Sequence, residues 1–282
     1  MLPDPATAIA GRPPARPAAP ASSGGAARAG AARAGALIRH NTILLLRDPG
    51  ALASRLILPL AFLILLHPLY EAAQGSRGGT AQAVIATVIT FSLLALSIVG
   101  GSILTDRIGH TWERVRMTPA RPAEVLAGKI FPALGVLLLQ QALIIGFGAG
   151  ALGLSLAAPR PLGLALLGLA TVAWSATLLG LGALMGVLVR SMSELSAAYD
   201  LGAMIMSSLG GALVPLSALP SWVRGIAPAS PGYWGVAALQ AALRGDTGRT
   251  LEAAAVLAAF AAGAALLAAA RTSRTGGRSG RL

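Results

Sequence analysis

Residues 130–156 read IFPALGVLLLQQALIIGFGAGALGLSL, twenty-seven residues without a charge and polar only at Gln140, Gln141 and Ser155. A helix crossing about 30 Å of hydrocarbon needs roughly 20 apolar residues, because lipid leaves every backbone N–H and C=O to be satisfied within the segment. This run is longer than that minimum. Five further stretches qualify, at 52–69, 83–105, 162–189, 197–219 and 251–270. The expected fold is therefore an all-α integral membrane protein with six transmembrane helices. The runs at 130–156 and 162–189 exceed the minimum, which implies tilt, breaks at Gly, or ends that project from the bilayer. The run at 251–270 is rich in Ala.

Composition agrees. Hydrophobic residues make up 55% of the 282-residue chain and charged residues 11%, with a mean hydropathy of +0.72. One soluble core could not hide that much apolar surface. A net charge of +12 would point to nucleic acid if the Arg side chains shared one soluble face, but they fall between apolar runs and act as topology signals, so no nucleic-acid partner is expected. Of the 22 basic residues only Lys129 is Lys, and Ala and Gly abound, as a GC-rich bacterial genome tends to write. There is no Cys, which excludes a disulfide framework, a thiolate metal site and a Cys nucleophile.

On a six-span plan, seventeen of the basic residues fall on the side that carries both termini. The other five, Arg77, Arg160, Arg224, Arg244 and Arg249, fall on the opposite side. Basic residues stay in the cytoplasm, so both termini are expected inside. Residues 1–35 are rich in Pro, Ala, Gly and Arg, bury too little apolar surface to offset chain entropy, and read as a disordered cytoplasmic tail without a signal peptide. Residues 36–270 form the membrane domain and 271–282 a basic cytoplasmic tail. Before the first span, Leu37, Ile38, Asn41, Leu44 and Leu45 recur at helical spacing until Asp48-Pro49-Gly50 ends the pattern. This predicts an amphipathic helix in the headgroup layer. The plainer alternative, a helical extension of the first span, runs against that break.

The cytoplasmic loop 106–129, DRIGHTWERVRMTPARPAEVLAGK, is longer than a turn requires. Within it, residues 110–117 suit a short helix with Trp112 and Val115 on one side and Glu113, Arg114 and Arg116 elsewhere, broken at Thr118-Pro119. Two readings fit: a protruding helix that docks in a groove of a soluble partner, or a solvated basic loop obeying the orientation rule. On the other side, 210–244 holds Pro215, Pro220, Pro228 and Pro231, a density that breaks helices repeatedly, with Trp222, Tyr233 and Trp234 as interfacial anchors.

The residues of that loop, Asp106-Arg107, Thr111-Trp112-Glu113-Arg114, Thr118-Pro119, Arg121-Pro122-Ala123-Glu124 and Gly128-Lys129, resemble the second cytoplasmic loop of ABC-2 type transporter permeases. The resemblance is strongest to the branch of daunorubicin-type drug exporters and nodulation-factor exporters. Arg47-Asp48-Pro49 with Pro59 resembles that family's N-terminal region, and 210–220, GGALVPLSALP, followed by Trp222, Pro228, Pro231 and Arg244, resembles its last extracellular segment. The resemblance implies a coupling helix around Trp112, Glu113, Arg114 and Arg116. It also implies an extracellular gate region at Gly210, Gly211, Pro215 and Pro220, with short re-entrant helices before the last span. The implied protein is the permease subunit of an exporter in the bacterial inner membrane, moving an amphipathic or lipid-like compound such as a drug, lipid or glycan. It would work with two ABC ATPase subunits and a second permease copy or paralogue.

The chain has no G-x-x-x-x-G-K-[ST] phosphate loop, so ATP and Mg²⁺ would bind the partner ATPase and no cofactor this chain. Within the spans, Gln140, Gln141, Trp174 and Asp200 are the candidates for a substrate path, although the two Gln also suit helix–helix hydrogen bonds and Asp200 suits hydration near Arg190. Gly146 with Gly150 and Gly182 with Gly186 permit close helix approach. His40, His67 and His110 are scattered, and no metal or catalytic signature appears. Two other classes remain as rivals: an intramembrane enzyme using His67 and Asp200, and a structural membrane subunit that transports nothing.

Overall fold

The computed structural model describes residues 23–47, 49–109 and 122–276, and all regular structure among them is helical. In chain order the helices are α1 (Ser23–Leu46), α2 (Pro49–Ser92), α3 (Ala95–Ile108), α4 (Pro122–Ala151), α5 (Arg160–Leu188), α6 (Met192–Leu209), α7 (Ser221–Ile226), α8 (Pro231–Arg244) and α9 (Thr247–Gly276). Single 3-10 turns lie at Leu216–Ala218 and Ala227–Ala229.

Four stretches among the described residues are long and apolar enough to cross a membrane: Ala53–Ile108, Glu124–Ala151, Arg160–Leu188 and Thr247–Arg271. They cover most of five of the six expected runs, that at 130–156 only as far as Ala151. The run expected at 197–219 is not among them. Its helix, α6, starts at Met192, ends at Leu209 before the Gly210-Gly211 pair, and carries Glu194 and Asp200 among eighteen residues. Two carboxylates and several Ser leave it without an apolar window of spanning quality.

The 56-residue stretch Ala53–Ile108 is not one rod. At Gly75 the backbone turns to φ 76° and ψ 170° and the chain doubles back. His67 Nε2 consequently lies 2.9 Å from Thr80 Oγ1, and the rings of Phe62 and Phe91 meet edge to face at 5.1 Å. Along a straight helix, residues 67 and 80 would be about 20 Å apart. Gly75 supplies the left-handed φ that other residues rarely adopt. Gly79 admits the returning strand of backbone, since a Cβ there would sit 2.5 Å from the main chain of Glu71. The two expected spans at 52–69 and 83–105 are thus antiparallel arms of one tight hairpin.

Helix α5 is central, packed against α3, α4, α8 and α9. Fifteen of its 29 residues are buried. Lipid gives little hydrophobic drive between spans, so close van der Waals approach has to hold them. The pair Gly182 and Gly186 provides it: a Cβ on Gly182 would meet Leu96 O at 3.0 Å and one on Gly186 would meet Gly100 O at 2.7 Å, both on α3. The matching pair Gly146 and Gly150 on α4 has nothing within 4 Å. Fully buried Trp174, Leu178, Leu63, Ile89, Leu96 and Leu257 fill the space between the helices.

Helix α1 begins inside the stretch 1–35 that composition marks as a disordered tail. Ala, the strongest helix former, recurs through its start and offsets the interspersed Gly, and the helix gains a tertiary partner in α4. Arg33 meets Glu124, and Asn41 Nδ2 donates to Gly128 O at 2.8 Å. Rising residue numbers in α1 therefore meet rising numbers in α4, so the two run alongside in the same direction. With 30 residues α4 is about 45 Å long, more than a bilayer's hydrocarbon needs. A helix thus covers the residues where one was expected before the first span, and it lies on the first turns of α4.

Candidate functional site

Two ends of the bundle carry polar architecture. At the first, α3 ends and α4 begins on either side of residues 110–121. Lys129 Nζ forms an ion pair with Asp106 at 2.5 Å and donates to Ser102 O at 2.7 Å, so the foot of α4 is tied to the foot of α3. The neighbouring Arg107 donates through Nη1 to Gly186 O and Val187 O at 2.8 Å each and to Val189 O at 3.2 Å. These carbonyls end α5 and have no intrahelical partner, and a cation is favoured at the negative end of a helix dipole.

The chain then enters α6 through Ser191, whose hydroxyl accepts from Glu194 N at 3.2 Å, while Glu194 Oε2 accepts from Arg190 N at 2.8 Å. This is a variant of the reciprocal Ser-x-x-Glu cap. On the outer side Arg33 grips Glu124 with two bonds, Nε to Oε2 at 3.0 Å and Nη2 to Oε1 at 3.1 Å. That hydrogen bond raises the pKa of the Arg33 guanidinium further above its ordinary value. The base is therefore a braced row of α1, α4, α3 and the end of α5, and residues 110–121 lie between the feet of α3 and α4 in the sequence. The coupling-helix residues Trp112, Glu113, Arg114 and Arg116 lie outside the described residues.

At the opposite end, the backbone after α6 is clamped to the α2 hairpin. Gln82 Nε2 donates to Gly211 O at 3.0 Å and to Ala212 O at 2.6 Å, and the Tyr70 hydroxyl donates to Leu213 O at 2.8 Å. Three successive carbonyls of non-helical backbone are thereby satisfied by side chains, as burial demands. Gly210 approaches α8 so closely that a Cβ would lie 2.6 Å from the carbonyl carbon of Gly232, and Gly232 in turn meets the Met206 carbonyl. Gly211 takes φ 76° to enter the turn. Pro215 is half-buried at the start of the 3-10 turn, and Pro220 is exposed where it precedes α7.

Beyond it, Ser230 caps α8 by accepting from Gly232 N, and Gly245 at φ 73° closes that helix. Short helices do precede the last apolar helix. Sequence reasoning named the Gly and Pro residues of this end and missed Gln82 and Tyr70. The available signal was a Gln opening the second apolar run, a costly residue to bury without a partner.

The four candidates for a substrate path are not gathered. Trp174 is fully buried, donates through Nε1 to Ser92 Oγ at 2.6 Å, and packs so tightly on α8 that a Cβ at Gly235 would sit 2.8 Å from its Cε3. Gln140 is buried, and Gln141 donates to Ser175 Oγ at 3.1 Å from within the bundle. Asp200 is exposed on the outer face of α6. His67 bonds Thr80 across the hairpin and lies 3.7 Å from Glu71.

Comparison with known proteins covers both ends of this bundle. The sequence profile described as ABC-2 type transporter matches residues 33–243, from the Arg33 that grips α4 to the last turn of α8. The inner membrane transport permease YhhJ of Escherichia coli (strain K12) is 27% identical over 161 residues, 57% of this chain and 42% of that protein, and its Shigella flexneri counterpart aligns equally. The chain thus aligns with less than half the length of these curated relatives. No solved structure matches. Since the matched residues take in the braced base, the hairpin and the clamp across from it, the chain belongs to the ABC-2 type transporter family.

Proposed function

We propose that this chain is the membrane subunit of an ATP-driven exporter, working with a separate ABC ATPase to move an amphipathic or lipid-like substrate out across a bacterial inner membrane. The observation that carries the reading is the braced base around residues 110–121. Asp106–Lys129, Arg107 on the α5 carbonyls and Arg33–Glu124 make one connected platform from four helices. A push on the loop there reaches α3, α4, α5 and α1 together. At the far end the same hairpin and α6 hold the glycine-rich turn shut through Gln82 and Tyr70. A bundle stiff at its base and latched at its outlet suits conversion of an ATPase movement into opening.

In this reading the chain crosses the membrane six times. The arms of the α2–α3 hairpin count as two, and α6 crosses on the strength of its neighbours although its own sequence is only moderately apolar. Both termini face the cytoplasm by the Arg asymmetry. Glu113, with Trp112, Arg114 and Arg116, seats in the ATPase. A second copy or paralogue completes the permease, and two ATPase subunits bind ATP and Mg²⁺, for which this chain has no phosphate loop. The test is purification of the tagged chain from its native membrane. An ABC ATPase co-purifying, and dissociating on Glu113→Arg, is the expected result. Recovery of the intact chain alone overturns the reading.

A further inference from the structure

One span touches both ends of the bundle. Its outer part, the second arm of α2, holds the glycine-rich turn through Gln82, and its inner part, α3, holds the base through Asp106 and Arg107. Between them the helix is interrupted: α2 ends at Ser92 and α3 starts at Ala95. Across the interruption the main chain bonds three residues back, Leu94 N to Phe91 O at 3.3 Å, Leu96 N to Leu93 O at 3.1 Å and Ser97 N to Leu94 O at 3.2 Å. Leu94 sits at φ −60° and ψ −21°, within the 3-10 range. The hydroxyls of Ser92 and Ser97 also donate three residues back, to Ile89 O at 3.0 Å and Leu94 O at 2.7 Å.

Residues 91–99, FSLLALSIV, contain neither Pro nor Gly. Leu and Ala are strong helix formers, so nothing in the covalent chain imposes the break. Contacts hold it instead. The two Ser hydroxyls compete for backbone carbonyls, and Trp174 of α5 donates to Ser92 Oγ at 2.6 Å. The same level of the bundle is poorly satisfied. Among the described residues, the buried side-chain polar atoms without a hydrogen-bond partner are Thr90 Oγ1 and Gln141 Oε1. Thr90 adjoins the break, and Gln141 stands level with it, since Lys129 meets Ser102 and Gly148 meets Val84 as α4 runs antiparallel to the span. Such orphans raise the energy of the broken form.

We propose that residues 91–97 are the hinge of the transport cycle, broken while the glycine-rich turn is clamped and continuous α-helix when it opens. The inference rests on the exporter reading for the idea of a cycle. The two sides of the break have different neighbours, as a hinge requires: α3 is locked to α5 at Gly182 and Gly186, whereas the outer arm packs on α8 at Gly235 and on the first arm at Phe62. Each residue that passes from the 3-10 to the α form turns the outer arm by about 20° and draws it toward the base by about 0.5 Å. Two residues so converted sweep the Gln82 amide out of range of Gly211 O and Ala212 O.

The chain lacks Cys and Ala212 is fully buried in the clamped turn, so Ala212→Cys reports opening. In right-side-out vesicles carrying the full chain with its ATPase, enclosed ATP should speed labelling of Ala212→Cys by a membrane-impermeant maleimide about tenfold. Leu94→Pro matches the φ of the broken form and forbids the continuous helix. It should abolish the ATP effect while the ATPase still co-purifies and hydrolyses ATP, and Leu94→Ala should keep the effect. Ser97→Ala drops the bond to Leu94 O that favours the break, so labelling without ATP should rise about fivefold, as expected from loss of one hydrogen bond. An undiminished ATP effect in Leu94→Pro overturns the hinge. So does ATP-free labelling unchanged by Ser97→Ala, a readout that stands even where Leu94→Pro does not insert. Labelling raised by Ser97→Ala in a complex that exports nothing would contradict the exporter reading and leave the hinge standing. Export undiminished in Leu94→Pro would do the reverse.

Discussion

Gln82 shows how one side chain can carry an end of the molecule. Its amide nitrogen serves two carbonyls, Gly211 O and Ala212 O, and only 4% of the residue is exposed. Gln82→Ala leaves both carbonyls buried and short of a donor, which should cost about 1–3 kcal/mol. Thermal unfolding in detergent measures that loss, and Tyr70→Phe, which frees Leu213 O, should move it the same way by less.

Trp174 is a different case. Trp174→Phe keeps most of the volume but drops the bond to Ser92, so a loss of about 1 kcal/mol is expected in the same assay, with ATP-driven export retained. At the base, Arg33→Glu sets two carboxylates against each other, and the double exchange Arg33→Glu with Glu124→Arg restores the pair. Export should fall in the single variant and recover in the double one. Export unaffected by the single exchange would mean that α1 is not part of the transmitting base.

For the elements, glycine geometry decides which approaches are real. The sequence shows two pairs at four-residue spacing, and nothing in the pattern separates them. The structure does, because Gly182 and Gly186 face the α3 backbone while Gly146 and Gly150 face open space. Gly186→Leu should therefore disrupt folding, as a forced overpacking of α3 against α5, and Gly146→Leu should be tolerated. Protease resistance of the membrane-inserted variants compares them.

The α2 hairpin makes an equally direct claim. His67→Cys with Thr80→Cys, in a chain otherwise free of Cys, should cross-link through a short bifunctional thiol reagent, whereas a straight helix would hold them about 20 Å apart. The apolar runs at 52–69, 83–105, 130–156, 162–189 and 251–270 were legible because lipid solvation imposes their length. The reversal at Gly75 was not, since a Gly in a Gly-rich chain gives no sign that its φ is positive. Helix α6 was overestimated at 197–219, because hydropathy was read across the Gly210-Gly211 turn that ends it. The helix before residue 35 was missed because its stabilising partner, Glu124, is 91 positions from Arg33 and no local pattern reveals it.

At the scale of the whole molecule, the interhelical ion pairs and the clamps on non-helical backbone lie at the two ends, and between them packing is joined by a few buried bonds such as Gln141–Ser175 and Trp174–Ser92. The base ties four helices together beside the borders of residues 110–121, and the far end closes a glycine-rich turn onto a hairpin. Family membership was legible in the motifs of 106–129 and 210–220, whose positions coincide with these two ends. The clamp residues Gln82 and Tyr70 were not, since they lie on an apolar run and acquire meaning only when α2 folds back. In the proposed function, transmission of ATP hydrolysis by another chain through residues 110–121 is the step on which the rest depends. Its most direct measurement is ATP-driven uptake into inside-out vesicles containing this chain and its co-purified ATPase, comparing the native chain with Glu113→Arg at equal insertion. Uptake should need both proteins and be lost in Glu113→Arg while the ATPase itself still hydrolyses ATP. Uptake at the native rate by the variant, or by the chain without any ATPase, would contradict it.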